Sequence, residues 1–377
     1  MNLLRQKIEQ EIRERGPIPF SRYMELCLYD HDLGYYSRNA QQFGKAGDFY
    51  TSSDVHAVFG RLLARQFDEM WRALGSPRQI ELLELGPGRG LFAQDVLDWS
   101  EKKFPDFFRA LRYILVESSP ALRERIKETL GRHLDSGKAE LGAPDALSKA
   151  PSHDIPTLVF ANEFFDALPL EILGTRGSLR IDTRDGRFTE TWAQPSAEEL
   201  EFLDRYSVHP EPDERIEAPL AAQRFMEQMA ANIQHGFLVA IDYGYTREEQ
   251  LAGRHRGTMK ALRAHSISPN PYEAPGEQDI TADVNFTALA AAANKHGMQT
   301  QKLITQSQFL MGIGEANQFA DAFEECRLPQ ERAKVALQLK HLVTPAGMGE
   351  SFQVLIASKG VEQKKVAALA GLSFARS

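Results

Sequence analysis

Cysteine is nearly absent. Only Cys27 and Cys326 occur among 377 residues. They are too few and too far apart for a disulfide framework or a zinc ribbon, so a reducing, cytoplasmic setting is expected. No apolar run approaches the roughly 20 residues of a membrane-spanning helix. An excess of basic charge is missing too: 52 acidic residues against 44 basic ones leave a formal charge of −8. Nucleic-acid binding carries a basic footprint, so none is expected, and the local run Arg247–Arg263 reads as solvated surface. The first twenty residues hold Glu9, Glu11 and Glu14 and no apolar signal core. They read as a helix start, not as a secretory or transit peptide. G-x-S-x-G, Walker A, H-E-x-x-H and C-x-x-C patterns are all lacking, which leaves hydrolase, NTPase and zinc chemistry without support, and no metal is expected.

What remains is ordinary globular composition, 42% apolar and 25% charged, in a chain long enough for a core domain plus insertions. Residues 3–15 carry a helical apolar pattern that stops at the breaker pair Gly16-Pro17. A short helix is expected over Ser21–Leu28. From His31 to Ser53 the chemistry is that of a loop, yet one rich in aromatics, including Tyr35, Tyr36 and Phe49. Residues 55–73 return to helical spacing. Strands are expected at Gln79–Leu85, Arg112–Glu117, Thr157–Asn162 and Gly236–Asp242. Helices are expected at Gly90–Trp99 and after Ser118-Ser119-Pro120, where Ser caps and Pro opens the helix. Near-continuous apolar strands alternating with helices imply a doubly wound α/β sheet covered on both faces. Residues 170–193 read as short strands with a hairpin turn at Asp185-Gly186. Residues 217–234 read as helix, and 245–285 as a loop-rich lid or lobe. Gln301–Thr305 and Phe352–Ser358 read as the last strands. The expected organisation is an N-terminal helical segment over 1–75 that covers a cofactor. A Rossmann-like core over 76–377 follows, with insertions at about 170–235 and 245–290.

The strongest local signal is Glu84-Leu85-Gly86-Pro87-Gly88-Arg89-Gly90, between an expected strand and an expected helix. Glycines permit a sharp turn and close backbone approach to a ligand, and the helix N-terminus offers free N–H donors. A dinucleotide fingerprint wants its third glycine one position later. The next strand ends at Glu117, where a carboxylate suits two ribose hydroxyls. The bland alternative is a tight turn and a strand-end charge. A second cluster, Asn162-Glu163-Phe164-Phe165-Asp166-Ala167-Leu168-Pro169, follows the third strand, and ligands of open α/β sheets bind beyond the carboxyl ends of strands. The spacing of Glu84 to Gly90, with an acidic residue ahead of the first glycine, is similar to motif I of class I methyltransferases, and methyl transfer asks mainly for alignment of the acceptor. A cationic acceptor must be neutralised by carboxylates before it meets a sulfonium, and paired carboxylates hold a guanidinium fork. Asn162, Glu163 and Asp166 are therefore the candidate acceptor-facing residues. Capping and solvated charge are the alternatives.

Several separated motifs agree with one family. They are Gly34-Tyr35-Tyr36, Gly47-Asp48-Phe49 with Thr51-Ser52, Glu84 to Gly90, and Asn162 to Pro169. Asp242-Tyr243-Gly244, Gly276 with Asp279-Ile280-Thr281, and Gly347-Met348-Gly349 complete the set. By these the chain resembles the MidA-like methyltransferases, which include the mitochondrial complex I assembly factor that dimethylates an arginine. The resemblance implies a class I methyltransferase fold with S-adenosyl-L-methionine as donor, held by Glu84, Gly86, Gly88, Gly90 and Glu117. The loop of Gly47, Asp48, Phe49 and Thr51 would close over it. A protein arginine is the implied acceptor, on a respiratory complex I subunit or a similar assembly client. Two departures stand out. Ser53 replaces a frequent Pro, and Thr281-Ala282-Asp283-Val284-Asn285 replaces a frequent Thr-Ala-His-Val-Asp, with His265 a local substitute for the histidine. Other acceptors, including small molecules, and a non-enzymatic assembly role stay open, as does a homodimer.

Overall fold

The computed structural model describes residues 2–38, 57–142, 155–263, 266–268 and 270–376. The chain forms two compact units, each assembled from separated segments. One comprises Tyr50–Glu163, Gln228–Tyr243 and Ala293–Ser377, the other Met1–Phe49, Phe164–Glu227 and Gly244–Ala292.

The first of these holds the main sheet. Its strands are β1 (Ile80–Leu85), β2 (Leu111–Val116), β3 (Ala139–Gly142), β4 (Thr157–Asn162) and β5 (Gly236–Tyr245). The short β6 (Gln299–Thr300) and β7 (Ile304–Thr305) and the long β8 (Phe352–Lys359) follow. Across the sheet the order is β3-β2-β1-β4-β5-β8, with β6 and β7 both on the outer edge of β8. All pairings from β3 to β5 are parallel and those of β8 are antiparallel. The sheet is thus the doubly wound, mostly parallel one that the alternation of strands and helices implied. Every residue of β1 is buried, as a strand covered on both faces requires. Phe92 of helix Leu91–Lys103 stacks on Phe160 of β4, ring centroids 4.5 Å apart. The expected cap is present: Ser119 Oγ accepts from the Leu122 N–H, with Pro120 opening helix Pro120–Asp135. The chain order reverses between β1 and β4, so the loops leaving those two strands flank a topological switch point, where ligands of such sheets bind.

The second unit is built mainly on antiparallel pairings, beside one short parallel pairing of Gly244 and Tyr245 with Val284 and Asn285. Ile18–Pro19, Gly177–Arg184, Glu171–Gly174 and Ile216–Ala218 pair in that order, and Arg187–Ala193 adds to Gly177–Arg184. Arg184 pairs with Arg187 across a two-residue turn, Asp185 and Gly186, with φ of 51° and 68°. Positive φ at both positions is what the tight hairpin demands. A second antiparallel trio joins Ser266–Ser268, Lys260–Arg263 and Asp279–Thr281. Leu4, Ile8 and Ile12 from helix Leu3–Arg15 bury against this unit's apolar core.

Two readings of the chain differ from what forms. The stretch 217–234 is not wholly helical: Ile216–Ala218 is a strand, and the helix runs Leu220–Asn232. Glu217 pairs with Ile172 in the sheet, so long-range pairing overrides local helical spacing at that end. Of the expected strand Gln301–Thr305 only Ile304–Thr305 (β7) forms, with Gln299–Thr300 (β6) just before it, both paired with β8.

Candidate functional site

Gly86, Gly88 and Gly90 have φ of 61°, 54° and 77°. All three lie in the left-handed region that glycine enters without strain. The Gly90 N–H closes the turn onto the Pro87 carbonyl at 2.9 Å, and the helix Leu91–Lys103 begins with no side-chain cap. Its first N–H groups are the kind of donors that an anionic ligand group satisfies.

Two buried carboxyls flank the loop. Glu84 is 5% exposed and accepts a 2.8 Å bond from the Tyr113 hydroxyl. Burial pushes it up to about 8, with the Tyr113 bond opposing and Glu117 adding to the rise. Glu117, one residue past β2, is pushed up to about 7, again by burial first. The N–H groups of Ser119, at 2.8 Å, of Ser118 and of Gly88 work against that rise. Glu117 is therefore tied to the glycine loop itself. A left-handed glycine cradle, a helix start without a side-chain cap among the described residues and a buried carboxyl at the end of β2 fit the methionine and ribose parts of S-adenosyl-L-methionine.

At the end of β4, the Asn162 Nδ2 donates to Glu163 Oε1 at 3.0 Å, and the Glu163 N–H donates to the Ile241 carbonyl at 2.9 Å. Glu163 has φ of 50°. A non-glycine residue held there is strained, and such strain gathers at functional sites. Asp166 belongs to the other unit. It is 7% exposed, and its Oδ2 accepts from the Thr281 hydroxyl at 2.7 Å. The structure thus groups Asn162 with Glu163, and Asp166 with Thr281.

Other motifs converge around Asp166. The Tyr36 hydroxyl donates to Asp279 at 2.8 Å, and the Tyr29 hydroxyl to the Ala167 carbonyl at 2.9 Å. Burial raises Tyr36 well above its ordinary range, helped by Asp279, Tyr29 and Asp166. Gly276 has φ of 75°, and a Cβ there would run into the Leu33 carbonyl. Gly47, Asp48, Phe49 and Thr51, proposed to cover the cofactor, lie outside the described residues, as does His265.

The two departures in the later motif have different meanings. Asn285 is buried, and its Oδ1 accepts from the Ala288 N–H at 3.0 Å at the start of helix Phe286–Lys295. Asn caps a helix as well as Asp does, so this exchange preserves the cap. Asp283 faces a histidine from elsewhere: His255 Nδ1 lies 2.9 Å from its Oδ2. His255 stacks on Tyr245 and has φ of 52°. Neither His255 nor the buried Glu217 was apparent in sequence. Nothing local marks them, because folding brings them to Asp283.

The match to a known family covers residues 62–304, by a profile described as S-adenosyl-L-methionine-dependent methyltransferase. A Drosophila melanogaster protein named protein arginine methyltransferase NDUFAF7 homolog, mitochondrial, is 30% identical, covering 95% of this chain and 85% of its own. The Danio rerio protein arginine methyltransferase NDUFAF7 is 30% identical over 92% of this chain and 84% of its own. A Burkholderia thailandensis protein crystallised with S-adenosylhomocysteine superposes with a TM-score of 0.83 at 28% identity, over 98% of this chain and 94% of that one.

Proposed function

Because the chain belongs to the S-adenosyl-L-methionine-dependent methyltransferase family, we propose that its acceptor is an arginine side chain of a protein. S-adenosyl-L-methionine is the cofactor and supplies the methyl group. The observation that carries the arginine reading is the likeness, over nearly the whole chain, to a relative named for protein arginine methylation. The carboxyl groups beyond β4 support it, since a guanidinium approaching a sulfonium needs compensating negative charge.

The proposed roles follow from placement. Gly86, Gly88 and Gly90 let the backbone approach the methionine part, whose carboxylate meets the helix start. Glu117 accepts from the ribose hydroxyls, and Glu84 fixes β1 to β2 through Tyr113. Gly47, Asp48, Phe49 and Thr51 cover the cofactor. Asn162, Glu163 and Asp166 orient the acceptor. The proposed client is a subunit of respiratory complex I or a similar assembly. The names of the eukaryotic relatives place them in mitochondria, and the cytoplasm is the setting proposed here.

The test is transfer of a tritiated methyl group from S-adenosyl-L-methionine to arginine-containing peptides, with acid hydrolysis of the product. Label in methylarginine supports the reading. Label confined to other amino acids or to small molecules refutes it.

A further inference from the structure

Three carboxyls on separate elements line one small cavity: Asp166, Glu217 and Asp283. The cavity measures about 10 Å³, the scale of one water molecule. Phe165, Leu168 and Leu289 form part of its apolar wall.

The three carboxyls are not equally compensated. Asp283 has His255 at 2.9 Å and Lys260 at 3.6 Å. Asp166 is bonded by Thr281. Glu217 has no cation against it among the described residues. Its Oε1 accepts the Met259 N–H at 2.9 Å, while its Oε2 is buried and within hydrogen-bond distance of no donor among the described residues. The residue is 2% exposed. A buried carboxyl oxygen in that position is costly, and native proteins keep few of them.

We propose that this cavity receives one nitrogen of a guanidinium head, with Glu217 as its principal acceptor and Asp283 and Asp166 as flanking charge. The inference rests on the arginine reading above and extends it to residues outside the loop after β4. A guanidinium fits better than an ammonium because it is flat, weakly hydrated and tolerant of apolar walls. A metal ion fits less well, since no group of three His, Cys, Asp or Glu among the described residues is arranged to hold one.

Binding is linked to protons. Burial, then Asp283, holds Glu217 up to about 7 against the pull of the Met259 and Thr258 N–H groups. Asp166 shares the cavity, Tyr245 feels the Glu217 charge, and His255 and Lys260 act through Asp283. A cation there draws the proton off Glu217. The apparent affinity should rise about tenfold from pH 6 to pH 8, as the ionised fraction grows.

The test is calorimetric titration of the full chain with methylguanidinium chloride at constant ionic strength, in two buffers of different ionisation enthalpy. The expected result is binding with net proton release below pH 7 and no binding of tetramethylammonium, which has no N–H. Glu217→Gln should weaken methylguanidinium at least tenfold and abolish the proton release, with S-adenosylhomocysteine affinity unchanged. Asp283→Asn should weaken it while the proton release persists. No heat from methylguanidinium in protein that binds S-adenosylhomocysteine, or equal affinity in Glu217→Gln, overturns the site. If arginine peptides are methylated with an unchanged KM in Glu217→Gln, the site fails and the arginine activity stands.

Discussion

Replacing Glu117 by Gln should make the protein more stable in mild alkali and worse at holding its cofactor. The wild-type carboxyl rests at about 7 in the folded chain, against 4.5 ordinarily. Its folded pKa is the higher one, so its contribution to stability is full below about pH 4.5 and is lost as pH rises through about 7. Between pH 5 and pH 8.5 that loss amounts to about 2.5 kcal/mol from this group. Gln cannot ionise and escapes it. It does forfeit part of the bonding to the Ser119, Ser118 and Gly88 N–H groups, a loss of about 1 kcal/mol at every pH. Urea unfolding at pH 5 and pH 8.5 reads both effects. The variant should be slightly less stable at the lower pH and more stable by roughly 1–2 kcal/mol at the higher one. Its affinity for S-adenosylhomocysteine should fall about 10- to 100-fold, the worth of charge-assisted bonds to the ribose. Parallel stability at both pH values would refute the reasoning, because the carboxyl would then not be held protonated by burial.

Gly276→Ala should cost at least about 2 kcal/mol in urea unfolding, since its left-handed φ and the Leu33 carbonyl both oppose a Cβ. Asn285→Asp should keep the cap yet cost about 1–3 kcal/mol in urea unfolding, because the buried Asn285 Nδ2 donates to the Tyr206 carbonyl at 2.9 Å and a carboxylate cannot, while Asn285→Ala should cost about 1 kcal/mol or more by removing a cap. Glu163→Gly should gain up to about 1 kcal/mol of stability by relieving the φ of 50°. On the proposed role it should also lower methyl transfer about 100-fold. Undiminished transfer would remove Glu163 from the acceptor site.

The central sheet was legible because its strands are locally declared. Thr157–Asn162 forms as expected, and Ile80–Leu85 lies within the expected run. Both are short runs dominated by apolar residues, as strands covered on both faces are, with Glu81 and Glu84 the exceptions in the first. The hairpin at Asp185-Gly186 was equally local. The helices Gln306–Glu315 and Pro329–Val343 gave no comparable signal, and the latter buries only Leu342. The glycine loop announced itself because its conformation needs glycine. Glu217 did not, since its meaning depends on a strand pairing with Ile172 and on Met259. His255 likewise carries no mark in the sequence, and His265, the local substitute read there, lies outside the described residues. Contacts between distant segments leave no mark in spacing.

The discontinuity of the second unit has a consequence for biosynthesis. Ile18 finds its strand partner only at Ile181, and the unit is complete only with residue 292. A chain emerging from the ribosome therefore carries an amphipathic first helix, with Leu4, Ile8 and Ile12 uncovered, for as long as it takes to make most of the protein. Long-range closure of this kind is slow and exposes apolar surface. The early segment is a natural client for a chaperone, and truncations before residue 292 should aggregate in a pull-down of nascent chains rather than fold in part.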